Sequence, residues 1–252
     1  KEGPATPTAQ TLYGTILADP QYKRETGSTR MRVCVSAGEA LPEDVGKRWE
    51  ERFGAAILDG LGSTEMLHIF LSNRHGEVRY GTSGKAVPGY DLRIISDDGH
   101  DVPQGEMGEL IVRGPSSATA YWNQREKSRR TFLGEWTRTG DKYVRRADGV
   151  YSYCGRTDDM LKVGGIWVSP VEVENALIGH PAVLECAVVG EQDTDELVKP
   201  KAYVVLKQGH QPSNELAEEL KAYVKEAIAP YKYPRWIEFI PELPKTATGK
   251  IQ

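Results

Sequence analysis

The chain has 252 residues, of which 39% are hydrophobic and 27% are charged, as expected for a globular protein with one large domain or two smaller ones. Its formal net charge of −4 argues against a general attraction to nucleic acid or to an anionic membrane. No apolar run approaches the roughly 18 residues of a membrane-spanning helix, and no signal peptide is visible. We therefore expect a cytoplasmic protein, either a monomer or a homodimer, that binds neither nucleic acid nor membrane.

Three cysteines, Cys34, Cys154 and Cys186, are widely spaced along the chain. Their odd number and the lack of a CxxC pair predict a reducing compartment without disulfides or a cysteine metal site. The chain starts at Lys1 without methionine and stops at Gln252, just after a loop of small residues. We therefore expect a piece of a longer protein.

The first sixty residues predict a parallel α/β unit. After a helix at 8–17, residues 31–38 alternate like a strand, residues 42–53 have a helical pattern, and residues 55–62 form a short apolar run. A strand, a helix and a second strand at this spacing favour parallel pairing, and ligands then bind at the loops that follow the strands.

Residues 78–115 and 135–153 predict strands around Gly, Asp and Pro turns, which indicates a small antiparallel sheet or barrel. The later stretch should be interrupted at Gly140-Asp141 and at the turn 147–149.

The pattern changes after Asp158. Gly164-Gly165 between two apolar triplets predicts a two-residue hairpin, and Ser169 to Glu172 predicts a capping box for a helix that ends near Gly179. Strands at 183–191 and 200–207, a helix and a last strand at 236–240 complete a small α+β domain. The apolar face predicted for that helix consists of Leu216, Leu220, Tyr223, Val224 and Ala227.

Four loops have the residue types of a ligand site. SAGEAL (36–41) offers small residues against which a flat ring could lie, and DGLGSTEM (59–66) offers two hydroxyls and a carboxylate suited to phosphate and a hard cation. TRTGDK (137–142) places a carboxylate in a turn, where it could accept hydrogen bonds from a diol, and PKTATGKIQ (244–252) carries a lysine on a loop of small residues. Taken singly, each also fits an ordinary explanation: a plain turn, a capped helix start, an Asx-turn and a solvated lysine.

In this order, SAGEAL, GSTE, RTGD, GRTDDMLKVGG and PKTATGK resemble the adenylate-forming superfamily of acyl-CoA synthetases, peptide-synthetase adenylation domains and beetle luciferases. LGSTEMLHIF and KVGGIWVSPVEVE are most similar to aryl-CoA ligases of the benzoate-CoA ligase type. The resemblance implies the C-terminal part of a large AMP-binding domain at 1–157, built from an α/β unit plus a small β-barrel. A small mobile α+β domain would follow at 158–252, with Asp158 as the hinge.

The resemblance also implies roles for individual residues. Lys250, Thr64 and Arg156 would be catalytic, Glu65 would hold Mg²⁺, and Asp141 would bind the ribose hydroxyls. The full nucleotide-binding set would be Gly38, Glu39, Ala40, Asp59, Gly60, Leu61, Gly62, Thr64, Asp141, Arg156 and Lys250. Lys162, Gly164 and Gly165 would contact coenzyme A, and Gly62, His68 and Ile69 would line the acyl pocket, although His68 also fits a core histidine with a satisfied ring.

The implied activity is ATP-dependent conversion of an aromatic carboxylate to an acyl-AMP and then to an acyl-CoA, with AMP and diphosphate released. The alternatives are an adenylation domain that loads a carrier-protein thiol, a medium-chain acyl-CoA synthetase, and a non-catalytic nucleotide-binding module; a luciferase-like oxidation is disfavoured. The family's upstream phosphate loop and the first wall of the acyl pocket are absent, and Trp167 stands where many relatives carry arginine. We therefore expect these 252 residues alone to be weakly active or inactive.

Overall fold

The structure is a computed structural model that describes residues 7–8, 10–28 and 30–245. The described residues form two compact units. The first contains residues 7–8, 10 and 22–157, and the second contains residues 11–21 and 158–245. No helix in the described ranges is long and apolar enough to cross a membrane.

The first unit begins with a mixed sheet that contains the predicted strand, helix and strand. Its order is β1-β2-β3-β4-β5, parallel as far as β3 and antiparallel from there on. Ser36 lies opposite Asp59, so the loops after β2 and β3 leave the same edge of the sheet. The α/β unit is thus confirmed. The elements are β1 (Pro7–Thr8), β2 (Cys34–Ala37), α2 (Glu43–Phe53), β3 (Ile57–Gly62), β4 (Ile69–Ser72) and β5 (Lys85–Ala86). Helix α1 (Gln10–Ala18) lies between β1 and β2 in the sequence, but nearly all of its residues belong to the second unit.

The remainder of the first unit is an antiparallel sheet in the order β10-β9-β7-β6, with a short strand, β8, paired to β9. In the described residues β6 and β10 are edge strands, so of the two predicted alternatives, a small antiparallel sheet or a barrel, these strands form the sheet. Closing a barrel requires a hydrogen-bonded pairing of the outermost strands, and the register of these strands provides none. The elements are β6 (Asp91–Ile95), β7 (Met107–Arg113), α3 (Arg125–Thr131), β8 (Phe132–Leu133), β9 (Trp136–Arg145) and β10 (Tyr151–Arg156).

Two irregularities interrupt the pairing of this sheet. The register between β7 and β9 shifts across the stretch that contains Gly140 and Asp141, where an interruption was predicted, although β9 itself is continuous. On β10, Tyr153 pairs with Tyr143 but Gly155 pairs with Lys142, which leaves Cys154 as the extra residue of a β-bulge. Arg156 then lies opposite Asp141.

Side chains from both sheets form the core of the first unit. Phe70 and Leu71 of β4 are fully buried together with Leu110 and Val112 of β7 and with Tyr143 of β9, which is 1% exposed. This core anchors the residues that precede β4, because Met66, in the turn after β3, is also fully buried in it.

The second unit contains a three-stranded sheet covered by two helices. Its strands follow the order β13-β14-β15, and the core between sheet and helices includes Val173, Leu177, Val204, Leu220 and Val224. The elements are β11 (Leu161–Val163), β12 (Ile166–Val168), α4 (Pro170–Ile178), β13 (Val183–Gln192), β14 (Val198–Leu206), α5 (Asn214–Ala227) and β15 (Trp236–Phe239).

In this unit a two-glycine turn and a serine cap determine where a hairpin turns and where a helix begins, as predicted. The β11–β12 hairpin turns at Gly164 and Gly165, whose φ angles of 57° and 87° are both left-handed. Ser169 Oγ accepts a hydrogen bond from the Glu172 backbone amide at 3.0 Å, which caps α4. One expectation for α5 is wrong: Ala227 is exposed, because the helix ends there and its apolar face is complete at Val224.

Candidate functional site

The loops at the edge of the mixed sheet contain the first group of predicted site residues. β2 ends at Ala37, and Gly38 turns the chain with a φ of 93°. Glu39 and Ala40, which follow it, are partly buried. Because β2 and β3 are adjacent and parallel, this loop and the residues from Gly60 onward lie at the same sheet edge.

Asp59 is a buried carboxyl in the middle of this sheet. Burial raises its pKa to about 8, against smaller opposing effects of the Leu41 backbone and the Ser36 hydroxyl. Neither Asp59 Oδ1 nor Ser36 Oγ makes a hydrogen bond of normal geometry within the described part of the chain. At neutral pH Asp59 is therefore mostly protonated, and it offers a polar group with unused hydrogen-bonding capacity.

Glu65 lies in a single helical turn, Thr64–Met66, that follows β3. Its carboxylate accepts a short hydrogen bond from the Tyr121 hydroxyl, and its backbone carbonyl accepts one from the Ala118 amide at 2.8 Å. Burial works to raise the pKa of Glu65, but the bonds from Tyr121 and Ser63 and the charge of Lys127 lower it overall. Glu65 is thus ionised at neutral pH and held in place. Thr64, its neighbour, is exposed.

Asp141 and Arg156 form the second cluster, on the neighbouring strands β9 and β10. Arg156 Nη1 donates to Asp141 Oδ1 at 3.0 Å and to the Thr139 carbonyl at 3.2 Å. Burial raises the pKa of Asp141 to about 6, although the adjacent guanidinium opposes the shift. The Asp141 side chain is 9% exposed whereas that of Arg156 is 51% exposed, so the pair has one anchored member and one accessible member.

Electrostatic effects connect this pair with Glu65. The charge of Glu65 contributes to the raised pKa of Asp141. The charge of Arg156 acts on Tyr121, whose pKa is raised by burial and by its bond to Glu65. Residues that are 76 positions apart in the sequence, Glu65 and Asp141, therefore belong to one charged cluster.

A second polar network surrounds His68. Its Nδ1 lies 2.8 Å from the Ile69 carbonyl and its Nε2 lies 2.9 Å from the Tyr90 hydroxyl. His68 is exposed and Ile69 is partly buried. The histidine is thus not a core residue, and its ring is held by polar contacts. Gly62 packs beside it, since a Cβ there would come within 2.7 Å of the His68 carbonyl oxygen.

The turn before His68 is strained. Leu67 has φ 70° and ψ −39°, and the His68 amide donates to the Met66 carbonyl at 2.8 Å, which is the hydrogen bond of a γ-turn. A branched side chain in this conformation costs about 1–3 kcal/mol. Leu67 is also 78% exposed, so apolar burial does not offset the strain.

The remaining predicted residues belong to the second unit. Asp158 lies in a single helical turn, Thr157–Asp159, at the point in the sequence where the two units meet. Lys162 pairs with Trp167 across the hairpin, and its ammonium lies 5.7 Å from the centre of the indole ring. Gly164 and Gly165 are exposed at the hairpin tip. Lys250 lies outside the described residues.

Sequence reasoning missed three residues that organise the site: Tyr90, Ser116 and Tyr121. They lie 22, 50 and 56 positions from the groups that they hold. No local pattern connects residues so far apart. A serine-rich stretch that ends in an aromatic residue, PSSATAY, was the available signal for the last two.

Comparison with known proteins shows which enzymes this chain is similar to. The AMP-binding enzyme family model matches residues 4–122, and the model of the AMP-binding enzyme C-terminal domain matches residues 172–250. The benzoate–CoA ligase of Thauera aromatica is 64% identical over 243 residues, which are 96% of this chain and 46% of that protein. The 4-hydroxybenzoate–CoA/benzoate–CoA ligase of Rhodopseudomonas palustris is 59% identical over 96% of this chain and 45% of its own length.

A solved structure gives the same result for the fold. The crystal structure of an anthranilate CoA ligase in complex with anthranoyl-AMP superposes with a TM-score of 0.93 and 53% identity, over 97% of this chain and 47% of that one. The chain spans about half the length of the curated relatives that it matches. Two matched models in sequence order, high identity and a shared fold establish that the chain belongs to the AMP-binding, adenylate-forming enzyme family.

Proposed function

We propose that the protein containing this chain is an ATP-dependent acid:CoA ligase that activates a benzoate-like aromatic carboxylate. ATP and the acid would give an acyl-AMP and diphosphate, and the thiol of coenzyme A would then displace AMP. The observation that carries this proposal is the cluster in which Glu65, Tyr121, Asp141 and Arg156 act on one another. It brings an ionised carboxylate, a buried diol acceptor and an accessible cation together in a chain that is 64% identical to a benzoate–CoA ligase.

The Asp141–Arg156 pair suits the nucleotide. A vicinal diol donates two hydrogen bonds, and a buried carboxylate that one guanidinium already orients can accept both without reorganising. Arg156 is half-exposed, so its guanidinium is accessible to a phosphate oxygen. Gly38, Glu39 and Ala40 would form the wall of the adenine site, and the protonated Asp59 would provide a hydrogen-bonding group beneath it.

Glu65 fits a magnesium ion. A hard divalent cation takes oxygen ligands, and this carboxylate has a lowered pKa and one oxygen bound to Tyr121. Residues 7–8, 10–28 and 30–245 contain no group of three acidic, histidine or cysteine residues that could hold a metal by themselves. Glu65 would therefore hold the ion together with substrate phosphate oxygens, and the ion would offset charge on the phosphates when bound.

The acyl pocket would lie beside His68 and Ile69. A flat aromatic acid suits the apolar Ile69 side chain and the narrow space at Gly62, and the planar ring of His68 would form a further part of the pocket wall. The anthranoyl-AMP bound to a relative of 53% identity supports an aryl rather than an alkyl substrate.

The second unit would serve the thioester step. In this proposal Lys162, Gly164 and Gly165 contact the pantetheine arm, and Lys250 assists the adenylation step. Asp158 is the proposed pivot, and 1–157 and 158–252 are the proposed domains. The cytoplasmic location and the choice between monomer and homodimer stay predictions.

The test uses the full-length protein that contains this chain. We expect AMP release that requires benzoate and CoA together for multiple turnovers, with octanoate a poorer substrate. Octanoate preferred over benzoate would refute the aryl assignment, and full turnover without CoA would refute the ligase reaction.

A matched pair of variants tests the nucleotide site. Asp141→Asn should raise the KM for ATP about 100-fold, since it removes a charge-assisted acceptor, whereas the exposed Asp148→Asn should not. In the wild type, kcat/KM for ATP should fall below about pH 6, where Asp141 becomes protonated. Equal KM values for ATP in the two variants would count against the assignment of Asp141.

A further inference from the structure

We propose that Tyr90 and Ser116 are positioning residues that set the choice of acid, because they clamp the strained turn Met66–His68 and the His68 ring. The proposal rests on the proposed function for the identity of the substrate, a flat aromatic carboxylic acid bound beside His68.

The turn needs an external restraint. Leu67 holds an unfavourable backbone conformation with its side chain 78% exposed, so packing at Leu67 itself does not fix it. A strained turn persists only where its surroundings determine it. Met66 on one side is fully buried, which leaves His68 as the side that could move.

Tyr90 fixes the imidazole. The Ile69 carbonyl can only accept, so His68 Nδ1 carries the hydrogen of that 2.8 Å contact, and in a neutral ring Nε2 accepts from the Tyr90 hydroxyl at 2.9 Å. The two rings meet edge to face at 5.6 Å. Tyr90 also packs against Phe70, which is fully buried, with ring centres 6.3 Å apart. Both nitrogens are thus committed, and the ring cannot turn without losing a bond.

Ser116 joins the tyrosine to the turn. Its Oγ donates its one hydrogen to the Met66 carbonyl at 2.7 Å, the same oxygen that accepts the γ-turn hydrogen bond from His68. Ser116 Oγ also lies 2.7 Å from the Tyr90 hydroxyl, whose one hydrogen is shared between Ser116 Oγ and His68 Nε2 as acceptors. A single serine therefore touches both the strained turn and the residue that holds the imidazole.

This arrangement predicts which kinetic constant changes. Without either hydroxyl, the turn can relax and His68 can leave its place in the pocket wall, so the acid binds less tightly and less selectively. Glu65 keeps its own contacts to Tyr121 and Ala118, so the KM for ATP should not change.

The test compares Tyr90→Phe and Ser116→Ala in the full-length protein, with benzoate and 2-aminobenzoate as substrates. Each variant should raise the KM for benzoate about tenfold, the cost of one lost hydrogen bond in a defined site, and shift the preference between the two acids. Ser116→Thr keeps the hydroxyl, so its KM for benzoate and its preference between the two acids should equal those of the wild type.

Two matched controls remove hydroxyls elsewhere. Tyr231→Phe alters an exposed tyrosine of the second unit, and Ser152→Ala removes a buried hydroxyl that has no hydrogen-bond partner among the described residues. Both should behave as the wild type. Unchanged KM and acid preference in Tyr90→Phe and Ser116→Ala would overturn the proposal, as would an equal rise in the KM values for ATP and benzoate.

Hydrogen exchange separates this inference from the proposed function. The His68 amide, bonded to the Met66 carbonyl, should exchange about tenfold faster in both variants than in the controls. Unchanged exchange would overturn the clamp whatever the activity. A wild type that shows no benzoate-dependent AMP release would refute the proposed function and the role in acid choice, while the exchange experiment still decides whether the clamp exists.

Discussion

Burial changes the pKa of a single side chain, Asp59, by several units. Its folded-state pKa of about 8 lies well above the ordinary aspartate value of 3.8, because burial penalises the charged form. Between these two values the folded protein holds one proton more than the unfolded chain. Stability contributed by this group is therefore present at low pH and is lost as the pH rises toward about 8.

Asp59→Asn should remove this pH dependence, because an amide resembles the protonated acid and does not ionise. The free energy of unfolding of the wild type should fall by about 1.4 kcal/mol per pH unit, relative to the variant, between about pH 4 and pH 8. Urea denaturation at pH 5, 7 and 9 measures the difference, and Asp98→Asn, at an exposed turn, is the control. Parallel pH profiles for wild type and Asp59→Asn would show that the buried carboxyl does not titrate as described.

At the residue scale, the sequence predicted side chains that lie in recognisable loops. Glu65, Asp141 and Arg156 each follow or precede a glycine or a strand end, and the structure places them in one cluster. Tyr90 and Tyr121 could not be predicted, because an aromatic hydroxyl has no sequence signature for the distant group that it holds.

At the scale of elements, the β11–β12 hairpin depends on two consecutive glycines. Gly164 and Gly165 both have positive φ, and a Cβ at either position would meet nothing within 4 Å. The cost of an alanine there is therefore backbone strain alone, about 1–2 kcal/mol per position. The exposed tip also keeps open space around it, which a pantetheine arm could use.

Gly164→Ala should slow thioester formation from preformed benzoyl-AMP about tenfold and leave acyl-AMP formation nearly unchanged, because only the second step is proposed to use the hairpin. Rapid-quench measurement of the two half-reactions tests this. Gly149→Ala is the matched control: it has φ 80° and equally open space, but lies in a turn between β9 and β10. If Gly149→Ala slowed the second step as much, general destabilisation would explain the loss.

Elements determined by local chemistry were predicted well. The β2–α2–β3 unit, the glycine hairpin and the Ser169 cap follow from periodicity, turn residues and a capping hydroxyl. Whether the antiparallel strands form a sheet or a barrel could not be predicted, because closure depends on which distant strands pair. Periodicity within a strand carries no information on that choice.

At the scale of the whole molecule, the order of the loops was more informative than any one of them. Five individually weak segments in one order identified the family, and two matched family models agree. The membership of residues 11–21 in the second unit could not be predicted, since their sequence neighbours belong to the first. Assignment to a unit is decided by tertiary packing, which the helical pattern of α1 does not encode.

A variant of Lys250 tests the proposal that acyl-AMP formation and thioester formation use different residues of the small domain. Lys250→Ala should lower acyl-AMP formation by about 100-fold or more, because the role proposed for Lys250 is to oppose the charge that builds up on the α-phosphate. It should largely spare thioester formation from preformed benzoyl-AMP. Lys225→Ala, on α5, should leave both half-reactions intact, and an equal loss in both half-reactions of Lys250→Ala would refute separate roles.

The bulge at Cys154 has a consequence for how this enzyme family can change in length. Because Cys154 is the extra residue of the bulge, Gly155 pairs with Lys142 and Arg156 lies opposite Asp141. A chain that lacked Cys154 would make the same two pairs in a regular ladder and would keep the ion pair. The loss of two residues between Tyr153 and Arg156 would instead place the guanidinium opposite Lys142, on the other face of the sheet.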